Sequence, residues 1–280
     1  MKKILLIGGK TEIGKCFIEA SKKKYTVIAP AEDDLNPLNF ESVDTFLSRG
    51  RYDAVVYLGC YHDEPSVKKG IDNLVSFNFI EYACLSNGIR KLIVVCDALG
   101  FDSIGDMSDA KEEDFEKYDD CGGYGTSNGI IARLAAKDGI TTLLRFFPTF
   151  GRKGKGELDR ILAFSTNKKD KITVKADKNQ SILYIEDGVK AICSVIDGSY
   201  PSGAYNIASP DAERKSDLAK KVRAYLKKQG RNITLEIGED AYELTADTSK
   251  FTDAVPNFKY TSFNSAVNKA IEKLTSKKRK

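Results

Sequence analysis

The chain contains no tryptophan and a single histidine, His62, in 280 residues. It has no stretch approaching the roughly 18 consecutive apolar residues of a membrane-spanning helix. Its opening "MKKILLIGGK" has the two lysines and apolar run of a signal peptide, but the run stops after a few residues at Gly8 and Gly9 and reads as a first strand. The six cysteines, Cys16, Cys60, Cys84, Cys96, Cys121 and Cys193, include no CxxC pair and mostly sit inside apolar runs. That pattern argues against a disulfide framework or a zinc site, and against any resident metal; it favours buried, reduced thiols and hence a cytoplasmic protein. No linker rich in Pro, Gly or Ser divides the chain, and no internal repeat recurs. Membrane partners are therefore not expected.

What is present is an ordinary globular composition, 41% hydrophobic and 30% charged. The net charge of +4 is small, and part of it sits in the tail "TSKKRK" (Thr275–Lys280), which reads as a frayed terminus. A nucleic-acid surface would need basic residues organised over one face of a fold, so nucleic acid is an unlikely partner.

Through the first half, apolar strand-like runs alternate with helix-like segments: "KILLIGG", an amphipathic stretch from Glu12 to Lys23, "YTVIAP", a helix from Phe40 to Ser48, "DAVVYLG", a helix ending near Asn87, "RKLIVVC", a helix opening at Tyr124, and "TTLLRFF". Continuous β-branched runs separated by helices predict a parallel sheet covered on both faces, an α/β doubly wound fold. Beyond Pro148 the alternation becomes irregular, which predicts a smaller C-terminal α/β lobe packed on the sheet with a ligand cleft between them. The expected division is 1–150 for the sheet domain and 151–280 for the substrate-binding lobe, interleaved so that at least one strand returns to the main sheet.

Between the first strand and first helix lies "IGGKTEIG", Ile7 to Gly14. A glycine-rich turn there lets backbone N–H groups and the positive end of the helix approach a pyrophosphate. Thr11 stands where a glycine would admit a phosphate most closely; its Cβ narrows the approach, while its hydroxyl could donate to the phosphate.

The order of segments resembles the extended short-chain dehydrogenase/reductase family of nucleotide-sugar epimerases, dehydratases and dTDP-4-dehydrorhamnose reductase-like enzymes. "IGGKTEIG" is similar to the family's TGxxGxxG turn and departs from it at Ile7 and Thr11. "DLNPLNFESVDTFL", from Asp34, resembles its "DLTD" segment. "YDAVVYLGCY" sits where the family has a strand leading into "NAAAY". "NFIEYACLSNGIRKLIVVCD" follows "NLLEAARxxGVKRFVYxSS", "LRFFPTFG" resembles "LRPxNVYG", "YIEDGVKAI" resembles "FVDDVARAI", and "GAYNIAS" resembles "GVYNVGS". The likeness runs over nearly the whole length. It implies a Rossmann-type dinucleotide-binding domain holding NAD or NADP through Gly8, Gly9, Thr11, Glu12, Ile13 and Gly14, with Glu32, Asp34, Leu35, Gly59 and Cys60 from the following strand ends. Ala31 occupies the place of the usual ribose-binding acid; Glu32 is next, and no arginine stands nearby to favour a 2′-phosphate, so NAD is weakly preferred. The resemblance also suggests a homodimer through the helix starting at Tyr124 and its neighbour.

The likeness is poorest where the chemistry should lie. Family catalysis uses a Tyr and a Lys four residues apart, a Ser or Thr near the end of the fourth strand and often an Asn on the preceding helix. Carried over, the tyrosine is Tyr124, the lysine position is Asn128, the Ser/Thr position is Cys96 with Asp97 beside it, and Asp72 is the match for the Asn. Without the ammonium, Tyr124 is expected to stay near the reference phenol value of about 10. Alcohol oxidation, which needs a base, then suffers more than carbonyl reduction, which needs a proton donor. Asn128 could hydrogen-bond a ribose. Cys96 reads as an inert buried thiol, since adjacent Asp97 raises a thiol pKa; Ala98 disfavours dehydration chemistry. His62, on the loop after the third strand, reads as solvent-facing. The implied function is an NAD(P)-dependent reductase of a nucleotide sugar or similar carbonyl compound; the alternative is a non-catalytic protein that binds or senses a dinucleotide or sugar nucleotide.

Overall fold

The structure is a computed structural model that describes residues 1–62, 66–98, 105–116, 122–154, 156–241 and 243–276. Cys121 and the last four residues of the basic tail lie outside these. The chain begins with β1 (Lys2–Ile7), α1 (Glu12–Ser21), β2 (Tyr25–Ile28), α2 (Phe40–Arg49), β3 (Ala54–Cys60), α3 (Val67–Ser86) and β4 (Leu92–Asp97). A short β5 (Met107–Ala110) and a 3-10 turn (Glu112–Glu116) precede α4 (Gly122–Asp138) and β6 (Thr141–Phe146). The remainder comprises β7 (Thr149–Phe150), α5 (Glu157–Ala163), β8 (Lys171–Val174), β9 (Asn179–Ser181), β10 (Leu183–Tyr184), α6 (Ile185–Asp197), β11 (Gly203–Ile207), β12 (Ala212–Arg214), α7 (Lys215–Lys228), β13 (Thr234–Ile237), β14 (Leu244–Ala246), α8 (Ser249–Ala254) and α9 (Phe263–Ser276).

Six strands form one sheet in the order β11-β6-β4-β3-β1-β2, every neighbouring pair parallel. The fold is Rossmann-type. Its central strands are buried on both faces, which is why they read as unbroken apolar runs rather than alternating ones. On one face Leu6, Val56 and Val95 pack with Phe17 of α1, Ile192 of α6 and Phe251 of α8. On the other, Leu5, Val55 and Val94 pack with Val43 of α2, Phe77 of α3 and Ile131 of α4. A separate core built on Leu158, Ile172, Leu218 and Val267 holds the C-terminal lobe together. From that part of the chain, β11 returns to the sheet beside β6. Among the described residues no helix is long and apolar enough to cross a membrane.

Two features of this topology aim the site. Strand order reverses between β1 and β3, and in open α/β sheets ligands bind beyond the carboxyl ends of the strands at such a switch point. The helices α3 and α4 also approach closely: a Cβ on Gly70 would sit 2.7 Å from the Gly123 carbonyl oxygen and 2.8 Å from the Tyr124 Cα. α4 starts at Gly122 rather than at Tyr124, so the tyrosine lies in its first turn, against α3.

Five described cysteines are unpaired; Cys16, Cys60, Cys84 and Cys96 are buried and Cys193 half-buried. Protein purified without reductant and then denatured should therefore react with close to six equivalents of a thiol reagent, the number in the sequence, and the native protein with few. Cys193 should react first among the described thiols, as peptide mapping of alkylated protein would report.

Candidate active site

The turn after β1 is shaped by its glycines. Gly8 has φ of +97°, in the left-handed region, and a Cβ on Gly14 would lie 2.5 Å from the Gly8 carbonyl oxygen. Thr11 caps α1: its Oγ1 accepts from the Gly14 N–H at 3.0 Å and donates to the Gly8 carbonyl at 2.8 Å. The Thr11 hydroxyl proton is thus committed within the turn, and the expectation that it could donate to a phosphate is corrected. The first-turn N–H groups of Glu12 and Ile13 have no intrahelical acceptor by virtue of their position.

At the far end of the adjacent strands, Tyr124 brings its hydroxyl to the Asp97 carboxylate and to the Cys60 carbonyl, 3.1 Å away. Tyr124 and Asp97 are almost fully buried. Burial first, and the Asp97 charge and hydrogen bond second, push the phenol far above its ordinary value. Tyr124 therefore does not stay near the reference value: it is a protonated phenol across the physiological range. The group at the end of β4 that meets it is Asp97, not Cys96. The Cys96 thiol is fully buried and pushed up to about 12, chiefly by burial, with Asp97 adding to the shift and Arg145 opposing it. Cys96 packs in the core on the α4 side with Ile131 and Ala132, while Asp97 carries the hydrogen bond to Tyr124.

The asparagine of the site is Asn73 rather than Asp72. Gly70, Asn73 and Phe77 are buried along α3 while Asp72 is only partly covered. That three- and four-residue spacing was readable in the sequence and would have turned Asn73 inward. The Asn73 amide nitrogen faces the carbonyls of Gly59 at 3.1 Å and Lys69 at 2.9 Å, and His62 Nε2 at 3.0 Å. With the nitrogen so placed, it is the Asn73 side-chain oxygen that faces the Asn128 amide, at 3.4 Å. Asn128 is wholly buried, and its Nδ2 has no hydrogen-bond partner. It is enclosed between α3 and α4 rather than presented to a ribose.

His62 is not a solvent-facing loop residue. Its backbone N–H donates to Asp97 at 3.1 Å, and its ring packs edge-on against Tyr124 with centroids 5.8 Å apart. The same ring lines a cleft of about 440 Å³ whose other walls include Lys10, Thr11, Glu12, Thr149 and Lys153. The phenol of Tyr124 is thus one side chain removed from the cleft. The cleft joins the glycine turn to the ends of β3 and β7, as a pyrophosphate and its attached groups require. Of the sequence-predicted cofactor residues, Thr11, Glu12 and Ile13 line it, and Gly8, Gly9 and Gly14 shape the turn. Glu32 and Asp34 are exposed beyond β2, with Asp34 accepting from the Ala31 N–H, and neither lines the cleft; Leu35 is buried in the core. Gly59 and Cys60 end β3 and contribute carbonyls to Asn73 and Tyr124. Larger depressions, of about 540 Å³ beside α2 and 750 Å³ between α1 and α6, lie away from the strand ends where these groups converge.

Fold and cleft together are of the Rossmann type, with the cleft beyond the carboxyl ends of the strands. No protein-family model matches the sequence, and no curated protein sequence matches it. Solved structures do. A GDP-L-fucose synthetase from Naegleria fowleri bound to NADP superimposes with a TM-score of 0.81 at 16% identity, over 99% of this chain and 94% of that one. dTDP-4-dehydrorhamnose reductase from Bacillus anthracis in complex with NADP gives 0.77 at 16% identity, over 99% of each chain. The Bordetella bronchiseptica enzyme WbmH in complex with NAD+ gives 0.74 at 16% identity, over 97% and 96%. At these identities the likeness is one of fold.

The turn geometry separates two substitutions. Thr11→Ala should cost about 1 kcal/mol through loss of the helix cap, read as a lowered urea midpoint. Gly14→Val should cost considerably more, because its Cβ meets backbone atoms that cannot give way. A Gly14→Val protein as stable as wild type would show that the turn is not packed this closely.

Proposed function

We propose that the protein is an NAD(P)-dependent reductase of a nucleotide sugar or a chemically similar carbonyl compound. The observation that carries this reading is the cleft that joins the glycine turn to the strand ends beside the Tyr124–Asp97 pair, where a phenol held protonated is a poor base for alcohol oxidation. Reduction of a carbonyl requires a hydride at carbon and a proton at oxygen. A bound reduced nicotinamide would supply the hydride, and the proton would come from Tyr124. The residues present fit such a cofactor at its pyrophosphate: the Gly8–Gly14 turn allows close approach, the first-turn N–H groups of α1 provide donors, and Lys10 and Lys153 add positive charge on the cleft walls. Glu32, exposed just past β2, supports NAD over NADP. The unpaired thiols accord with a reducing compartment such as the cytoplasm.

The assembly we propose is a homodimer through α3. Val67, Ile71, Val75 and Tyr82 recur along one side of that helix, and Ile71 and Tyr82 are 56% and 62% exposed. Phe40 packs edge-on against Tyr82 and widens the apolar face. Sedimentation should give a dimer that Ile71→Lys with Tyr82→Lys converts to a monomer; a monomeric wild-type protein at micromolar concentration would remove this part of the reading.

Calorimetry should give dissociation constants between micromolar and millimolar for NADH, and weaker ones for NADPH. Purified protein should oxidise NADH when given 4-keto sugar nucleotides, and Tyr124→Phe should abolish this. Since the Asp97 charge raises the phenol, Asp97→Asn should lower it, so the phenolate forms at lower pH. The rise of alcohol oxidation with pH should move down the pH scale in that variant, with reduction gaining nothing. Cofactor binding without hydride transfer to a broad panel would favour a binding or sensing protein instead.

A further inference from the structure

Independently of the reductase reading, we infer that the cavity between α1 and α6 is a second ligand site, one that takes a small organic anion with a flat apolar body, such as an aryl phosphate or a nucleoside monophosphate. The cavity measures about 750 Å³, against about 440 Å³ for the cleft at the glycine turn, and falls within the size range of small-molecule sites. Part of its lining is apolar, formed by Val189, Val255 and Phe258. The Phe258 ring is braced: it packs edge-on against Phe251 at 5.1 Å and Tyr260 at 4.8 Å, and Phe251 is itself buried in the sheet core. A flat ligand ring laid against it meets a surface that has little freedom left to lose on binding.

The rest of the lining is mostly basic. Lys24, Arg152, Lys190, Lys259 and Lys273 bring cations to it, against carboxylates from Glu19 and Glu186. Arg152 pairs with Glu19 at 3.0 Å and Lys273 with Glu186, while Lys24 and Lys190 turn to Asp197 and Asp187, each at 2.5 Å. Lys259 is exposed and has no ion-pair partner among the described residues. The two cysteines of the lining add no negative charge, since burial raises both the Cys16 and the Cys193 thiol. Two buried groups beside this basic wall also lack an acceptor. The Arg152 guanidinium donates through Nη2 to Glu19 and, at 3.3 Å, to the Cys16 sulfur, but its Nε–H has no partner. The Tyr184 hydroxyl, near enough to Cys16 and Arg152 for both to act on its ionisation, has none either. Buried polar groups are rarely left unbonded, and both of these can donate to an oxyanion. Basic side chains with donors to spare, next to a braced aromatic ring, fit a ligand that is anionic at one end and flat at the other.

Phenyl phosphate is the probe, with inorganic phosphate and phenol each lacking one half of it. Calorimetry on the wild-type protein should give a dissociation constant below about 1 mM for phenyl phosphate, and values at least about tenfold weaker for phenol and for inorganic phosphate. Raising the salt concentration should weaken the binding. Lys190→Gln with Lys259→Gln changes two lysines that line the cavity and not the cleft, and should weaken phenyl phosphate about tenfold. Because the chain has no tryptophan, Phe258→Trp puts a single fluorophore on the apolar lining. Its emission should change over the same concentration range, whereas that of Phe46→Trp, beside α2, should not. Absence of binding at millimolar phenyl phosphate overturns the proposal. So does binding that the two lysine substitutions leave unaltered, since it then occurs elsewhere, and so does inorganic phosphate that binds as tightly as phenyl phosphate. Should Phe258→Trp fail to fold, the calorimetric comparison of wild type with the lysine variant decides alone. Neither arm uses cofactor or turnover, so a failed reductase assay leaves the outcome untouched.

Discussion

The hydroxyl of Tyr124 is held between the Asp97 carboxylate and the Cys60 carbonyl, and the character of the site follows from that placement. The contact ties the first turn of α4 to the carboxyl ends of two central strands. A phenol beside a carboxylate in a buried setting keeps its proton, because losing it would put two negative charges together away from water. A tyrosine paired with a lysine has the opposite bias, since an ammonium favours the phenolate. The sign of the nearest charge therefore decides whether a tyrosine so placed is biased toward phenolate or held neutral.

The polar groups around Tyr124 form a connected set. Asn128 is too short and too deeply enclosed to reach the cleft, and it meets Asn73 instead. Asn73 in turn is oriented by two backbone carbonyls and faces His62. Close packing of α3 on α4, made possible by Gly70, brings these amides together. Buried polar groups are costly unless bonded, so the amide orientations and the imidazole tautomer are interdependent. Changing one partner alters the hydrogen-bonding options of the next.

Much of the fold was legible because parallel strands buried on both faces must be apolar throughout, and such runs, separated by amphipathic stretches, leave few other architectures. "DAVVYLG" and "RKLIVVC" became β3 and β4, and "TTLLRFF" became β6. The short strands β5, β7, β12 and β14 were not legible. They are two to four residues long, and their pairing partners lie far away in the chain. The glycine turn was also readable, since a left-handed Gly8 and a sterically excluded Cβ at Gly14 leave a residue-level trace. The occupation of the Thr11 hydroxyl left none, because a threonine that caps a helix and one that meets a ligand have the same letter.

The sequence by itself determined the doubly wound sheet, the position of the phosphate-type turn and the presence of Tyr124 without a lysine four residues on, because each is a local pattern of residue types. Which side chains face that tyrosine was decided only in three dimensions. That Asp97 rather than Cys96 bonds the Tyr124 hydroxyl depends on how α4 docks on the end of β4, whereas Asn73 in place of Asp72 follows from the helical spacing of α3. His62 reaches the cleft wall because the loop after β3 is anchored by Asp97 and Asn73, two residues remote from it in the chain. A displacement of one residue along a helix or strand end turns a side chain away from its neighbour, and at the end of β4 that single-residue choice is set by packing between elements rather than by the pattern within the strand.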